Sequence, residues 1–582
     1  MSSRLHRAVR ATTALLAAAA LTGTLSGTAP AAPAPPEPAR PDLARPEPSV
    51  VPGGYADQTI TWRPCFPDGP PASLPPGSER LECGSFTAPR DWADSAGTTI
   101  TIAVSRLRAS GNASGAAGAL FTNPGGPGGA GRFVPLLFLL ADRQRVLQSQ
   151  DIYGIDVRGT GGSTSTNCNG GAETGVTLDP RDRSRANTDL ILDSAALVAR
   201  FCQNGTGEFG PFVRTDETVQ DLDLLRRLIG QEKINWLGYS AGTWVGAHYA
   251  TYFPQRVGRF VLDANVGFTD PWQAAIDLQP LGFQRRYEQD FLPWAATYDS
   301  ILHLGSSPPQ VNRTYEDVRA ALAAEPLDLG QGIVLYAADF DALIVGALYS
   351  KLQFQSLAEL IGFIRDETAH RTESADSPPV AARARELVQR MRALRAHSGS
   401  IQPLAPDYPN ATLLHIACND TPASGDREAL LAGSQQQGQK YPLVGWATLA
   451  NPCLTWNRPG VTLRTPDGAG VPPVLMVQND HDPATPIEGA LRARDAFAGA
   501  RLLTVTGEGD HTTYAASAPN DCVNDVVEDY LVDGVVPARD SSCPGVPIPP
   551  PSPGPLLPLP GDGATGTPQQ LIAALTALAG PR

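Results

Sequence analysis

Residues 233–252 read KINWLGYSAGTWVGAHYATY. The short apolar run 233–238 predicts a buried strand, and 241–252 carry helical spacing. Between them Gly238-Tyr239-Ser240-Ala241-Gly242 leaves no room for a loop, so the strand must turn directly into the helix. Glycines two residues before and after Ser240 permit that turn, which projects the serine at the edge of a sheet. Glycine and serine are common, so the pentapeptide alone is a weak signal. The flanking strand and helix give it weight.

Working outward, strands are predicted at 98–107, 118–123, 150–156, 259–263, 474–478 and 501–505. Helices are predicted at 216–229, where Thr215 or Asp216 could cap, and near 486–498. Alternating strands and helices imply a largely parallel sheet covered on both faces. Residues 272–400 break the pattern. They read as mostly helical, with 335–350 and 380–396 as the plainest cases. About 200 residues therefore separate two consecutive strands of one sheet, which implies an inserted helical cap. The organisation expected is a signal peptide at 1–31, a proline-rich leader at 32–54 and a first core segment at 55–267. A helical cap at 268–465, a second core segment at 466–543 and a proline-rich tail at 544–582 follow, the tail with a short amphipathic helix near 567–579.

A serine hydroxyl needs a base. Of the eight histidines, His6 lies in the expected signal, and His248 on the helix after Ser240. His303, His370 and His397 fall in the insertion, and His415 in an apolar run. His511 follows the last predicted strand, in Gly507-Glu508-Gly509-Asp510-His511, and is the expected base. The acid should follow an earlier strand. Asp482 is taken for that role, with Asp480 two residues away as the alternative. Asp480-His481-Asp482 also reads as a metal cluster, but neighbours on one loop rarely point at one ion, and no metal is expected. The order Ser240, Asp482, His511 is that of the α/β-hydrolases. The glycine run 123–131 (NPGGPGGAG) follows an early strand, so the amides of Gly126 and Ala241 are the expected oxyanion donors. That run lacks GxxxxGK[ST], and no nucleotide or other cofactor is expected.

Composition bounds the partners. Of 582 residues, 42% are hydrophobic and 18% charged, which excludes a disordered polyelectrolyte. A net charge of −14 argues against a nucleic-acid partner. Only Lys233, Lys351 and Lys440 are lysines, against 42 arginines. Arg4, Arg7 and Arg10 followed by the apolar run 11–22 read as a secretory signal, too short for a stable membrane anchor. Eight cysteines without a CxxC pair favour disulfides over zinc. The simplest of the possible pairings joins neighbours: Cys65–Cys83, Cys168–Cys202, Cys418–Cys453 and Cys522–Cys543.

NPGGPGGAG, DVRGTGGS (156–163), GYSAGT (238–243), QNDHDPATP (478–486) and GEGDHT (507–512) resemble, in order, the secreted actinobacterial tripeptidyl aminopeptidase-like α/β-hydrolases, relatives of the proline iminopeptidases. The resemblance covers about 55–545. Asn123 stands where proline iminopeptidases commonly have His. The resemblance implies an extracellular serine exopeptidase that releases short peptides or single residues from free N-termini, and a monomer is expected. By that match Ser240, Asp482 and His511 form the triad, and Gly126 and Ala241 the oxyanion hole. The family also holds esterases and amidases acting on small molecules. An aminopeptidase must receive an α-ammonium, for which Asp339, Asp341 and Asp420 are candidate acceptors.

Overall fold

Ile234–Tyr239 is a strand at the centre of the sheet, with all six residues buried. The computed structural model describes residues 53–72, 74–111, 118–169, 177–328, 334–369 and 408–552. The expected signal, most of the leader, the helix at 380–396 and the helix near 567–579 lie outside the described residues.

The sheet strands are β1 (Arg63–Pro64), β2 (Leu81–Pro89), β3 (Thr99–Leu107), β4 (Ala119–Asn123), β5 (Asp151–Asp156), β6 (Ile234–Tyr239) and β7 (Val257–Asp263). Two short strands in the insertion, β8 (Leu327–Asp328) and β9 (Val334–Leu335), pair only with each other. β10 (Leu475–Asn479), β11 (Arg501–Thr506) and β12 (Ser541–Pro544) complete the large sheet, whose order is β1-β2-β3-β5-β4-β6-β7-β10-β11-β12. From β5 to β12 every neighbouring pair is parallel, whereas β1, β2 and β3 add an antiparallel edge.

Both faces are buried, as a parallel sheet requires. Trp236, Phe260, Leu262 and Met476 pack on one face with the helices Thr215–Leu228 and Ala241–Tyr252. Their strand neighbours Leu237, Val261, Leu475 and Val477 pack on the other with Leu136, Phe138, Val523 and Val527. The helix after Ser240 lies unusually close to the sheet. Trp236 Nε1 donates to the Gly242 carbonyl at 3.1 Å. A Cβ on Gly238, Gly242 or Gly246 would run into Gly242, Asn123 or Trp236.

Among the elements not foreseen are two strands of the large sheet, β2 and β12, and the helix Arg185–Thr206. β2 (LECGSFTAP) has no clean alternation, yet it pairs along its whole length with β3. β12 is four residues long and mostly exposed. The helix Arg185–Thr206 packs Ala199 and Cys202 against Ala411, Cys418 and Trp456, so this segment joins the insertion in one layer. The insertion has a second core of its own, built from residues such as Phe291, Val311, Phe340 and Ile361. The four neighbour disulfides are present as paired above. Past Cys543 the chain continues against the body: Gly545 donates to Thr506, and Trp294 donates to the Pro549 carbonyl. Among the described residues no helix is long and apolar enough to cross a membrane.

Arg158, from the DVRGTGGS segment, is fully buried. It bonds the Asp221 carboxylate through Nε and Nη2, both at 2.7 Å, as well as Glu217 and the carbonyls of Pro89, Arg90 and Phe212. This residue ties the β2–β3 edge to the helix Thr215–Leu228. Removing one partner of a buried ion pair costs about 3–5 kcal/mol. Arg158→Met is expected to lower the unfolding free energy by about that amount in urea titration. A loss within about 1 kcal/mol would mean that water reaches the carboxylates.

Candidate active site

Ser240 follows β6 with φ 53° and ψ −123°, a left-handed conformation rare for a residue with a Cβ. Its N–H donates to the Asp263 carbonyl at 2.9 Å, and its carbonyl accepts from both the amide and the hydroxyl of Thr243. The glycine loop approaches from the end of β4. A Cβ on Gly125 would come within 2.9 Å of both the Ala241 nitrogen and the Ser240 Cβ. Gly125 and Gly126 have φ of 87° and 115°. Asn123 Oδ1 accepts from Gly125 N at 2.9 Å, which uses the side chain to shape the loop. Ala241 opens the helix, so its amide is one the helix itself leaves unpaired.

Asp482 and His511 come together. His511 Nδ1 lies 3.0 Å from both carboxylate oxygens. Asp482 is fully buried and also accepts from the amides of Ala484 and Thr485 and from the Thr485 hydroxyl, each at 2.9 Å. With its proton on Nδ1, the imidazole has Nε2 as a base. Asp480 does a different job: its carboxylate accepts from the amides of Gly507 and Glu508 at 3.0–3.2 Å. His481 turns to Asp290, 2.9 Å away, which raises its pKa. The three adjacent residues thus diverge. Among the described residues no group of three or more His, Cys, Asp or Glu is placed to hold a metal.

Asp263 was read only as the end of a strand, yet it joins the two loops. Its carbonyl holds Ser240, and its carboxylate accepts from the amides of Thr513 and Tyr514 at 2.8–3.2 Å. Burial pushes its pKa up to about 7, against those amides. The only hint in sequence was an acid ending an apolar run.

The profile of a family described as TAP-like protein matches residues 441–543. Over 495 residues the chain is 31% identical to the tripeptidyl aminopeptidase of Streptomyces coelicolor, covering 83% of this chain and 86% of that one. The chain belongs to the tripeptidyl aminopeptidase-like α/β-hydrolases. It is also 26% identical over 512 residues to the serine protease Hip1 of Mycobacterium tuberculosis, covering 84% and 91% of the two chains. Carboxylesterase B of the same organism is 28% identical over 488 residues, covering 79% and 86%. A member of this family is a serine hydrolase, and the site must be read as one.

A cavity of about 230 Å³ opens beside Ser240 and Gly126. Its walls are mainly apolar, with Trp272 and Ile276 from the insertion's first helix, Leu413 and Ala417 from a later one, and Ala484 from the Asp482 loop, beside the polar Asn265, Gln279 and Thr485. No charged side chain is among its described lining residues. The three carboxylates that were candidates to meet an α-ammonium are otherwise engaged. Asp339 accepts from Tyr336 N, and Asp341 pairs with Arg319 and Tyr315. Asp420 is buried and accepts from the amide and hydroxyl of Thr215 and the indoles of Trp244 and Trp272. It caps the helix Thr215–Leu228, a role the sequence left to Thr215 or Asp216.

Burial raises the Asp420 pKa to about 6, against the Thr215 and Trp272 hydrogen bonds. A raised acid favours folding fully below its unfolded pKa and loses that contribution as pH climbs through the folded value. The stability of Asp420→Asn relative to the parent is therefore expected to rise between about pH 4 and 6 and level off above, by roughly 2–3 kcal/mol. Thermal unfolding across that range checks it. A flat difference would show that Asp420 keeps its ordinary pKa in the fold.

Proposed function

We propose that this chain is an exported serine exopeptidase releasing short peptides, tripeptides foremost, from free N-termini. Ser240 attacks the carbonyl, and His511 Nε2 takes the hydroxyl proton while Asp482 orients and stabilises the imidazolium. The tetrahedral oxyanion is held by the amides of Gly126 and Ala241, donors typically worth about 3–4 kcal/mol each to the transition state. The imidazolium returns its proton to the leaving amine. Water, deprotonated by the same imidazole, then releases the acyl group.

The Asp482–His511 pair, taken together with a strained serine after β6, is the observation that carries the reading. The apolar cavity supports the length of product. A terminal ammonium there would be buried without a counter-charge, at a cost of several kcal/mol. Release of one residue would demand that placement, whereas a tripeptide carries its ammonium two residues away. The residue before the scissile bond is then an uncharged one that fills the cavity. Export is supported by the basic-then-apolar N-terminal sequence and by four disulfides, which persist in oxidising compartments.

The same uncharged cavity and the likeness to a carboxylesterase favour a second reading, hydrolysis of small acyl esters or amides. Free tripeptide anilides, their acetyl-blocked forms and short acyl esters separate the two. The free tripeptide is expected to turn over at least about tenfold faster than the blocked one, a difference of about 1.4 kcal/mol. Equal rates would overturn the aminopeptidase reading. Ser240→Ala should abolish turnover while leaving the unfolding transition in place.

A further inference from the structure

The loops bearing Asp482 and His511 belong to the core, where Asp263 and Asp480 brace them, and the insertion adds groups of its own. Arg286, in the last turn of the helix Trp272–Arg286, is 1% exposed. Its Nη2 donates to Asp510 Oδ1 at 2.7 Å, and Asp510 immediately precedes His511. Its Nη1 donates to Asp290 Oδ2 at 2.7 Å, and the other Asp290 oxygen meets His481, immediately before Asp482. Its Nε donates to the Leu348 carbonyl at 3.3 Å, and the guanidinium carbon lies 4.8 Å from the centre of the Phe354 ring. Gly509 admits the guanidinium, since a Cβ there would collide with it. Two nearby contacts reinforce this seat. His511 N donates to the Tyr349 carbonyl at 2.8 Å, and Lys351 N to Asp510 Oδ1 at 2.6 Å.

One rigid fork thus reaches the residue before the base directly, and the residue before the acid through one carboxylate. A buried ion pair is a poor device for stability alone, because apolar packing can do as well. What a guanidinium supplies is fixed direction, which a point charge does not. We propose that Arg286 is a positioning residue for hydrolysis, setting His511 against Asp482 and tying that alignment to the seating of the insertion. The proposal rests on the reading of Ser240, Asp482 and His511 as a triad.

The test uses the full chain and compares kcat and KM on tri-alanine p-nitroanilide for Arg286→Lys, Arg286→Met, Arg286→Met/Asp510→Asn and His511→Ala, with unfolding followed in parallel. Misplacing a reacting group by about 1 Å costs about 10²-fold. Arg286→Met is expected to lose about that much in kcat with KM within about twofold, and Arg286→Lys to recover part of it. Arg286→Met could fail to fold with Asp510 left unpaired, and the double variant removes both charges together. A folded double variant with kcat still down about 10²-fold supports positioning. Wild-type kcat in the folded double variant, or in an Arg286→Met protein that is merely less stable, overturns it. Activity surviving in His511→Ala would instead overturn the triad reading, and the proposal with it.

Discussion

The backbone of Ser240 is the constraint on which the rest depends. A residue with a Cβ held in the left-handed region costs on the order of 1–3 kcal/mol, and it persists only where its surroundings over-determine it. Here they do. Trp236 beneath the following helix, the small residues at 238, 242 and 246, and the Asp263 carbonyl leave the chain no other course. The same tightness brings Gly125 against Ser240 and Ala241, which sets the glycine loop beside the serine. A serine raised on this turn has value only if a base is held as firmly.

Buried charge does part of that holding, and ties other elements together as well. Arginine outnumbers lysine 42 to three, and the structure uses its fork as a joint. Arg158 clamps the antiparallel edge to the helix Thr215–Leu228. Arg286 clamps the insertion to Asp510 and, through Asp290 and His481, to the loop of Asp482. Lys351, one of the three lysines, has its Nζ on Glu508 and on the carbonyl of Val546. The insertion therefore both roofs the cavity beside Ser240 and holds the loops of Asp482 and His511.

Much of this was legible in the sequence because the signals were local. A run of apolar residues between glycines gave β6, and the order of Ser240, Asp482 and His511 followed chain order alone. The disulfides joined neighbours, the simplest choice. The choice between Asp482 and Asp480 was not local, since it turned on which carboxylate faced His511 and which was consumed by the amides of 507 and 508. β2 and β12 were hidden because a strand at or next to the edge of a sheet need not alternate, and their pairing supplies what their pattern lacks. Asp420 was left open between a substrate contact and a structural acid for the converse reason. Its partners, Thr215, Trp244 and Trp272, lie some 150–200 residues away, and only the fold reveals that the carboxylate is spent.

Mass mapping after treatment with a fluorophosphonate tests the central claim most directly. The folded protein is expected to take one adduct, on the peptide containing Ser240, and the rate of labelling should collapse in Asp482→Asn, where the imidazole loses its orienting carboxylate. No adduct on folded protein, or an adduct on another residue, would contradict the account.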